Sequence, residues 1–168
     1  MRKVPLLFLF LLLFSDTFGK TAVYRAYYSF FPIGKITFNW DNDRIEVHGE
    51  VYPYLKSFYN YDFKFVAQDN DFFLYEHENS KVRVYKGEKL YKKKPWLPLI
   101  VQFLKTRKAK INSDFPYRVK KEGNKYIVYP LKSKKVKKIE VVFGKSDFPE
   151  YIRIYGKHYI KMKKIEER

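Results

Sequence analysis

The chain has 168 residues, no cysteine, 35 basic against 18 acidic side chains, and 20% aromatic residues. Lacking thiols, it excludes disulfides, cysteine catalysis and thiolate metal sites, so its stability rests on packing, for which the aromatic content is ample. A net charge of +17 favours anionic partners, but 27 of the 35 basic residues are Lys, not the Arg whose fork matches phosphate, which disfavours nucleic acid.

A bias toward AT-rich codons, visible also in the abundance of Phe, Tyr, Ile and Asn, accounts for much of the lysine excess. The charge is therefore read as surface with some power to steer anionic partners.

At the start of the chain, MRK supplies positive charge and VPLLFLFLLLF (4–14) is apolar. SDTFG follows, with Thr17 and Gly19 at the −3 and −1 positions of a cleavage site. This is the anatomy of a secretory signal peptide. The apolar run falls short of the roughly 20 residues that a membrane-spanning helix needs. Residues 1–19 are thus expected to be removed on export, to the periplasm in the first place and the medium in the second. One β-rich domain, 20–168, with no transmembrane span should remain.

In KITFNW (35–40), Ile36, Phe38 and Trp40 share one face of an alternating segment. DND (41–43) supplies a turn and RIEVHGEV (44–51) alternates again, which together read as a half-buried hairpin. The pattern recurs at 61–65, 72–78 and 81–87. It continues at 116–131, a hairpin about Glu122-Gly123-Asn124, and at 137–165, which reads as three more strands. About ten strands at this spacing predict a mainly β fold, a strongly curved antiparallel sheet or open β-barrel. The lysine-rich stretch 132–138 reads as a charged hairpin tip or an edge strand.

One segment, 96–108, reads as a short helix packed on that sheet. Trp96, Leu97, Leu99, Ile100, Phe103 and Leu104, with Val101, cover an arc of roughly 200°, twice the stripe of an ordinary surface helix. Such a helix wants apolar company on two sides. It is expected to lie across the mouth of the curved sheet, and those six residues are the candidate contacts for a lipid or acylated ligand. Lys92, Lys93 and Lys94 precede it at its positive end, where each costs about 0.3–1 kcal/mol. They are the candidate contacts for an anionic envelope surface. Lys105, Arg107 and Lys108 suit its C-terminal end.

Catalytic patterns are weak. No Gly-x-Ser-x-Gly elbow occurs. Glu46, His48 and Glu50 share a strand face, but they read as carboxylates offsetting neighbouring lysines rather than as a metal site. Glu76 and Glu78 point away from His77, and His158 lies in a basic strand. No catalytic residue, metal or cofactor is expected.

Tyr27-Tyr28 in an N-terminal strand, followed by Ile33-Gly34-Lys35, resembles the start of the exported bacterial proteins called domain of unknown function 3108. Phe148-Pro149, EYIRIYG and the closing KHYIKMKKI resemble that family's C-terminal hairpin. The family is similar in shape to the periplasmic lipoprotein-carrier superfamily, whose open β half-barrels hold acyl chains beneath helices. By analogy of fold, the resemblance implies an apolar-ligand carrier or an envelope-assembly factor.

The combined expectation is a non-enzymatic exported protein that holds an amphiphile or acylated partner in an apolar concavity. Its alternative is an envelope-associated protein holding an anionic polymer or membrane surface through its lysines. The first requires an accessible cavity. The second requires a filled core and lysines clustered on one face.

Overall fold

In the computed structural model, which describes residues 19–106 and 116–168, the alternating segments become strands of one antiparallel sheet. They are β1 (Lys20–Tyr28), β2 (Phe31–Trp40), β3 (Arg44–Val51), β4 (Tyr61–Gln68), β5 (Asp71–Glu78) and β6 (Lys81–Lys86) in the first half. Two helices follow, α1 (Gly87–Lys93) and α2 (Trp96–Thr106). The second half holds β7 (Tyr117–Glu122), β8 (Lys125–Pro130), β9 (Val136–Phe143), β10 (Pro149–Gly156) and β11 (Tyr159–Glu167). The eleventh strand, beyond the ten alternating segments, is β1. Of the predicted leader, residues 1–18 lie outside the described residues, as do Arg107 and Lys108.

Strand order is β6-β5-β4-β3-β2-β1-β11-β10-β9-β8-β7. Each neighbouring pair is a sequential hairpin except β1–β11, which joins the two halves. There Thr21 and Arg168 exchange backbone hydrogen bonds of 2.8 Å. Tight connections use two-residue loops, with Gln68 opposite Asp71 and Glu78 opposite Lys81. Asp69 and Asn79 take the left-handed conformation there, one that Asp and Asn tolerate better than most residues.

The sheet is open, with β6 and β7 as its edges, and it wraps around α2. Trp96 meets Phe63 on β4 edge-to-face at 6.0 Å. One helical turn and more along, Phe103 meets Tyr126 on β8 at 4.8 Å and Phe143 on β9 at 5.5 Å. Both wings therefore grip one helix, which supplies the apolar company on two sides that its wide arc demanded. All of Trp96–Val101, Phe103 and Leu104 are buried. None of the described helices is long and apolar enough to cross a membrane.

One helix was expected and two are present. α1 is only seven residues long, too short to show a period, and its N-cap, Lys86, makes no side-chain capping bond. Leu90 and Tyr91 nevertheless bury completely. α1 closes the gap between the two edges. Tyr91 donates a hydrogen bond to the Pro116 carbonyl and packs on Tyr117 of β7 at 5.4 Å, while Lys93 donates to Tyr85 of β6 at 2.8 Å. The placing of Lys92 and Lys93 at a positive helix end is therefore corrected, whereas Lys94 does stand before α2, its carbonyl accepting from Leu97 N at 3.1 Å. Lys92 and Lys93 form the last turn of α1, the negative end, where cations are favourable.

Candidate functional site

At the end of the barrel where α1 meets α2, the interior is not filled. A cavity of about 540 Å³ lies between the inner faces of β1–β4, β10 and β11 and the start of α2. Its wall is mainly apolar: Ala26, Ile33, Ile36, Val51, Phe63, Trp96, Val136, Ile154, Ile160 and Met162. An outer chamber shares Ile33, Val51, Tyr61 and Ile160 with it and extends to Tyr28, Leu55 and Tyr59.

The strands make this space through local irregularity. Against β2, the register of β1 slips between Ala26 and Tyr27, which pair with Gly34 and Pro32. The extra residue, Ile33, is left unpaired and turned into the cavity wall, as a bulge does. Gly34 is required beside it, because a Cβ there would stand 2.2 Å from the Glu50 carbonyl oxygen. At Gly49 the missing side chain is replaced by the Phe63 ring, which lies 2.2 Å from where a Cβ would be. The far half of the core, by contrast, is packed with Tyr24, Phe38 and Phe148, the first pair edge-to-face at 5.1 Å and the second at 6.3 Å.

The rim is cationic. Lys35, Lys93, Lys94, Lys135 and Lys157 border the cavity, against Glu50 there and Glu76 and Glu78 on the outer chamber. Glu50 already lies between Lys35 at 3.9 Å and Lys56 at 3.8 Å. Among the described residues, Lys135 and Lys157 have no carboxylate within ion-pair distance, so their charge remains available to a ligand.

Lys93 and Lys94 are committed to Glu76, which is 3% exposed. Lys93 Nζ lies 2.6 Å from Glu76 Oε1, Lys94 Nζ 3.8 Å from Oε2, and the Tyr61 hydroxyl donates to Oε2 at 2.8 Å. Burial pushes the Glu76 carboxyl up, but the bonds from Lys93 and Tyr61 and the charge of Lys94 outweigh it and hold it below the usual range. Burial lowers Lys94 to about 8 despite Glu76, and its ammonium sits 5.3 Å and 5.2 Å over the Tyr61 and Phe63 rings. Burial also raises the Tyr61 hydroxyl, with Glu76 adding to it, so Tyr61 remains a donor.

Of the six apolar residues singled out in the sequence, Trp96 lines this cavity. Leu97, Leu99, Ile100, Phe103 and Leu104 are packed core, with Phe103 wedged among Tyr126 and Phe143. Of the three lysines, Lys93 and Lys94 border the cavity, and Lys92 turns outward to Glu88 at 2.8 Å. The residues not foreseen are Glu76, Lys135 and Lys157. Glu76 carries a readable signal, since it follows Leu74 by two on the inward face of β5, and an acid on a core face needs a partner. On β3, Glu46 meets Arg44 and also Lys64 at 3.8 Å. Among the described residues no group of three or more His, Asp or Glu is placed to hold a metal ion.

No protein-family model matches the chain. A protein of Aquifex aeolicus (strain VF5), described as "Uncharacterized protein", is 46% identical over 163 residues, which span 97% of this chain and 93% of the relative. The chain belongs to that protein's family. The match runs nearly end to end and so covers both halves of the sheet rather than a fragment of it.

Proposed function

We propose that this is an exported, non-enzymatic binding protein that takes up an amphiphile with an apolar tail and an anionic head, such as a fatty acid or the acyl group of a modified partner. One observation carries the reading: an apolar cavity of about 540 Å³ with five lysines at its border. Its size falls within the roughly 300–1,000 Å³ of small-molecule sites. The tail would lie against Ile36, Trp96, Ile154 and Met162, and the head would meet Lys135 and Lys157. The unfilled core favours this reading over binding through surface lysines alone. The leader-like residues 1–19 and the resemblance of both chain ends to domain of unknown function 3108 support a role in the envelope.

The test is ligand content and uptake. Native mass spectrometry of the purified protein should show a co-purifying lipid, and stripped protein should take up a fluorescent fatty acid. Lys135→Gln with Lys157→Gln should weaken the acid several-fold, because two exposed ion pairs contribute about 0.2–1 kcal/mol each, and leave the alcohol of equal length unaffected. Ala26→Leu, which fills the cavity, should reduce both. Natively folded protein that takes up neither probe would overturn the proposal.

A further inference from the structure

The open end of the barrel carries an unusual surface. The β1–β2 hairpin, the β3–β4 loop, the β8–β9 loop and the β10–β11 hairpin all surround the cavity mouth. Ser29 N donates to Tyr159 O, Tyr54 Oη to Pro32 O, and Asn79 N to Asn60 O, which ties most of these loops into one rim. Large apolar side chains stand out from it. Phe30 is 78% exposed, Phe31 64%, Tyr54 60% and Phe58 87%. Phe30 and Phe31 support each other at 4.8 Å, yet neither lines the cavity or packs on the core.

Beside these aromatics, on the neighbouring connections of the same end, stand exposed lysines. Lys132 and Lys134 of the β8–β9 loop and Lys157 of the β10–β11 hairpin have no carboxylate within ion-pair distance among the described residues. At the opposite end, the β2–β3 and β4–β5 turns are built of Asp41, Asn42 and Asp43 and of Asp69, Asn70 and Asp71. The exposed large apolar residues of the described turns all belong to the cavity end. Aromatic rings flanked by lysines that lack a carboxylate partner, on the one end whose turns expose large apolar side chains, match the interface of an anionic bilayer: rings settle at headgroup depth and each lysine adds attraction at the surface.

We propose that the protein docks end-on to an anionic lipid bilayer through Phe30, Phe31, Tyr54 and Phe58, with the mouth of the cavity facing the membrane. This goes beyond uptake of an amphiphile. It gives the cavity a route by which a lipid could enter or leave without crossing bulk water, but the docking stands on the rim alone.

Flotation with vesicles tests it. The purified protein should bind vesicles of phosphatidylcholine containing phosphatidylglycerol at least tenfold better than phosphatidylcholine alone, and moderate salt should weaken the binding. Phe30→Ser/Phe31→Ser/Phe58→Ser should lose vesicle binding tenfold or more, and Lys121→Gln/Lys145→Gln at the opposite end should not. As a milder variant, Phe58→Trp should show a blue-shifted fluorescence component on anionic vesicles that Asn42→Trp does not. Binding that ignores vesicle charge, a response of Asn42→Trp equal to that of Phe58→Trp, or no vesicle binding at all would overturn the docking; the last would assign the rim to a protein partner. Uptake of the fluorescent fatty acid, measured on the same Ser variants, should be unchanged. A protein that docks but takes up no fatty acid would sink the amphiphile reading and leave the docking intact.

Discussion

Glu76→Gln isolates the ionic knot at the cavity's edge. The amide occupies the same space and still accepts a hydrogen bond from Tyr61, but it withdraws the charge on which two ammonium groups depend. Breaking a fully buried ion pair by removing one partner costs about 3–5 kcal/mol. Glu76 is 3% exposed, but the side chains of Lys93 and Lys94 are 20% and 19% exposed, so both can recover part of their hydration from the cavity mouth. Roughly half of the buried-pair value, about 2 kcal/mol, is therefore expected. Urea unfolding followed by circular dichroism would read it as a lower midpoint at unchanged slope. The same substitution should bring the opposite change in binding. With Glu76 neutral, Lys93 and Lys94 are free to meet an anionic head, so affinity for the fluorescent fatty acid should rise several-fold. A variant within about 0.5 kcal/mol of the parent, the range of an ordinary surface substitution, would refute the energetic reasoning. A destabilised variant with unchanged affinity would refute the idea that Glu76 holds the place of a ligand's anion.

pH gives an independent handle on the same lysines. Lys94, lowered to about 8 from 10.5, loses its charge as pH rises from 7 to 9 and leaves the Glu76 carboxylate less neutralised at the cavity's edge, so fatty-acid affinity should fall over that window and Lys94→Met should flatten the profile. The sign for stability is opposite, because between about 8 and 10.5 the unfolded chain holds the extra proton and this group makes stability rise with pH. Phe103→Ala should cost about 3–5 kcal/mol by opening a void among Tyr126 and Phe143, with fatty-acid uptake retained at low temperature while the fold persists. Loss of uptake without loss of stability would return Phe103 to the binding site.

What the sequence determined by itself is the local geometry. Side-chain period is a property of the backbone, so Ile36/Phe38/Trp40 and Ile45/Val47 had to share a face wherever the strands went, and turns such as Asp69-Asn70 carry their own conformational preference. The width of the apolar arc on 96–104 likewise demanded burial on two sides, as α2 between Phe63 and Phe143 displays. Only the tertiary structure decided where that burial would leave space. The cavity arises from an unpaired Ile33, a Gly34 pressed against the Glu50 carbonyl and a Phe63 ring folded over Gly49, contacts between strands that no local pattern encodes. Lys135 and Lys157 stand together because β9 pairs with β10, Val136 opposite Gly156, and they share a rim with Lys35 because β11 returns to pair with β1. Lys93 and Lys94 looked like surface charge in a lysine-rich run, and were drawn inward because a carboxylate on β5, seventeen and eighteen residues earlier, was pointed at the core.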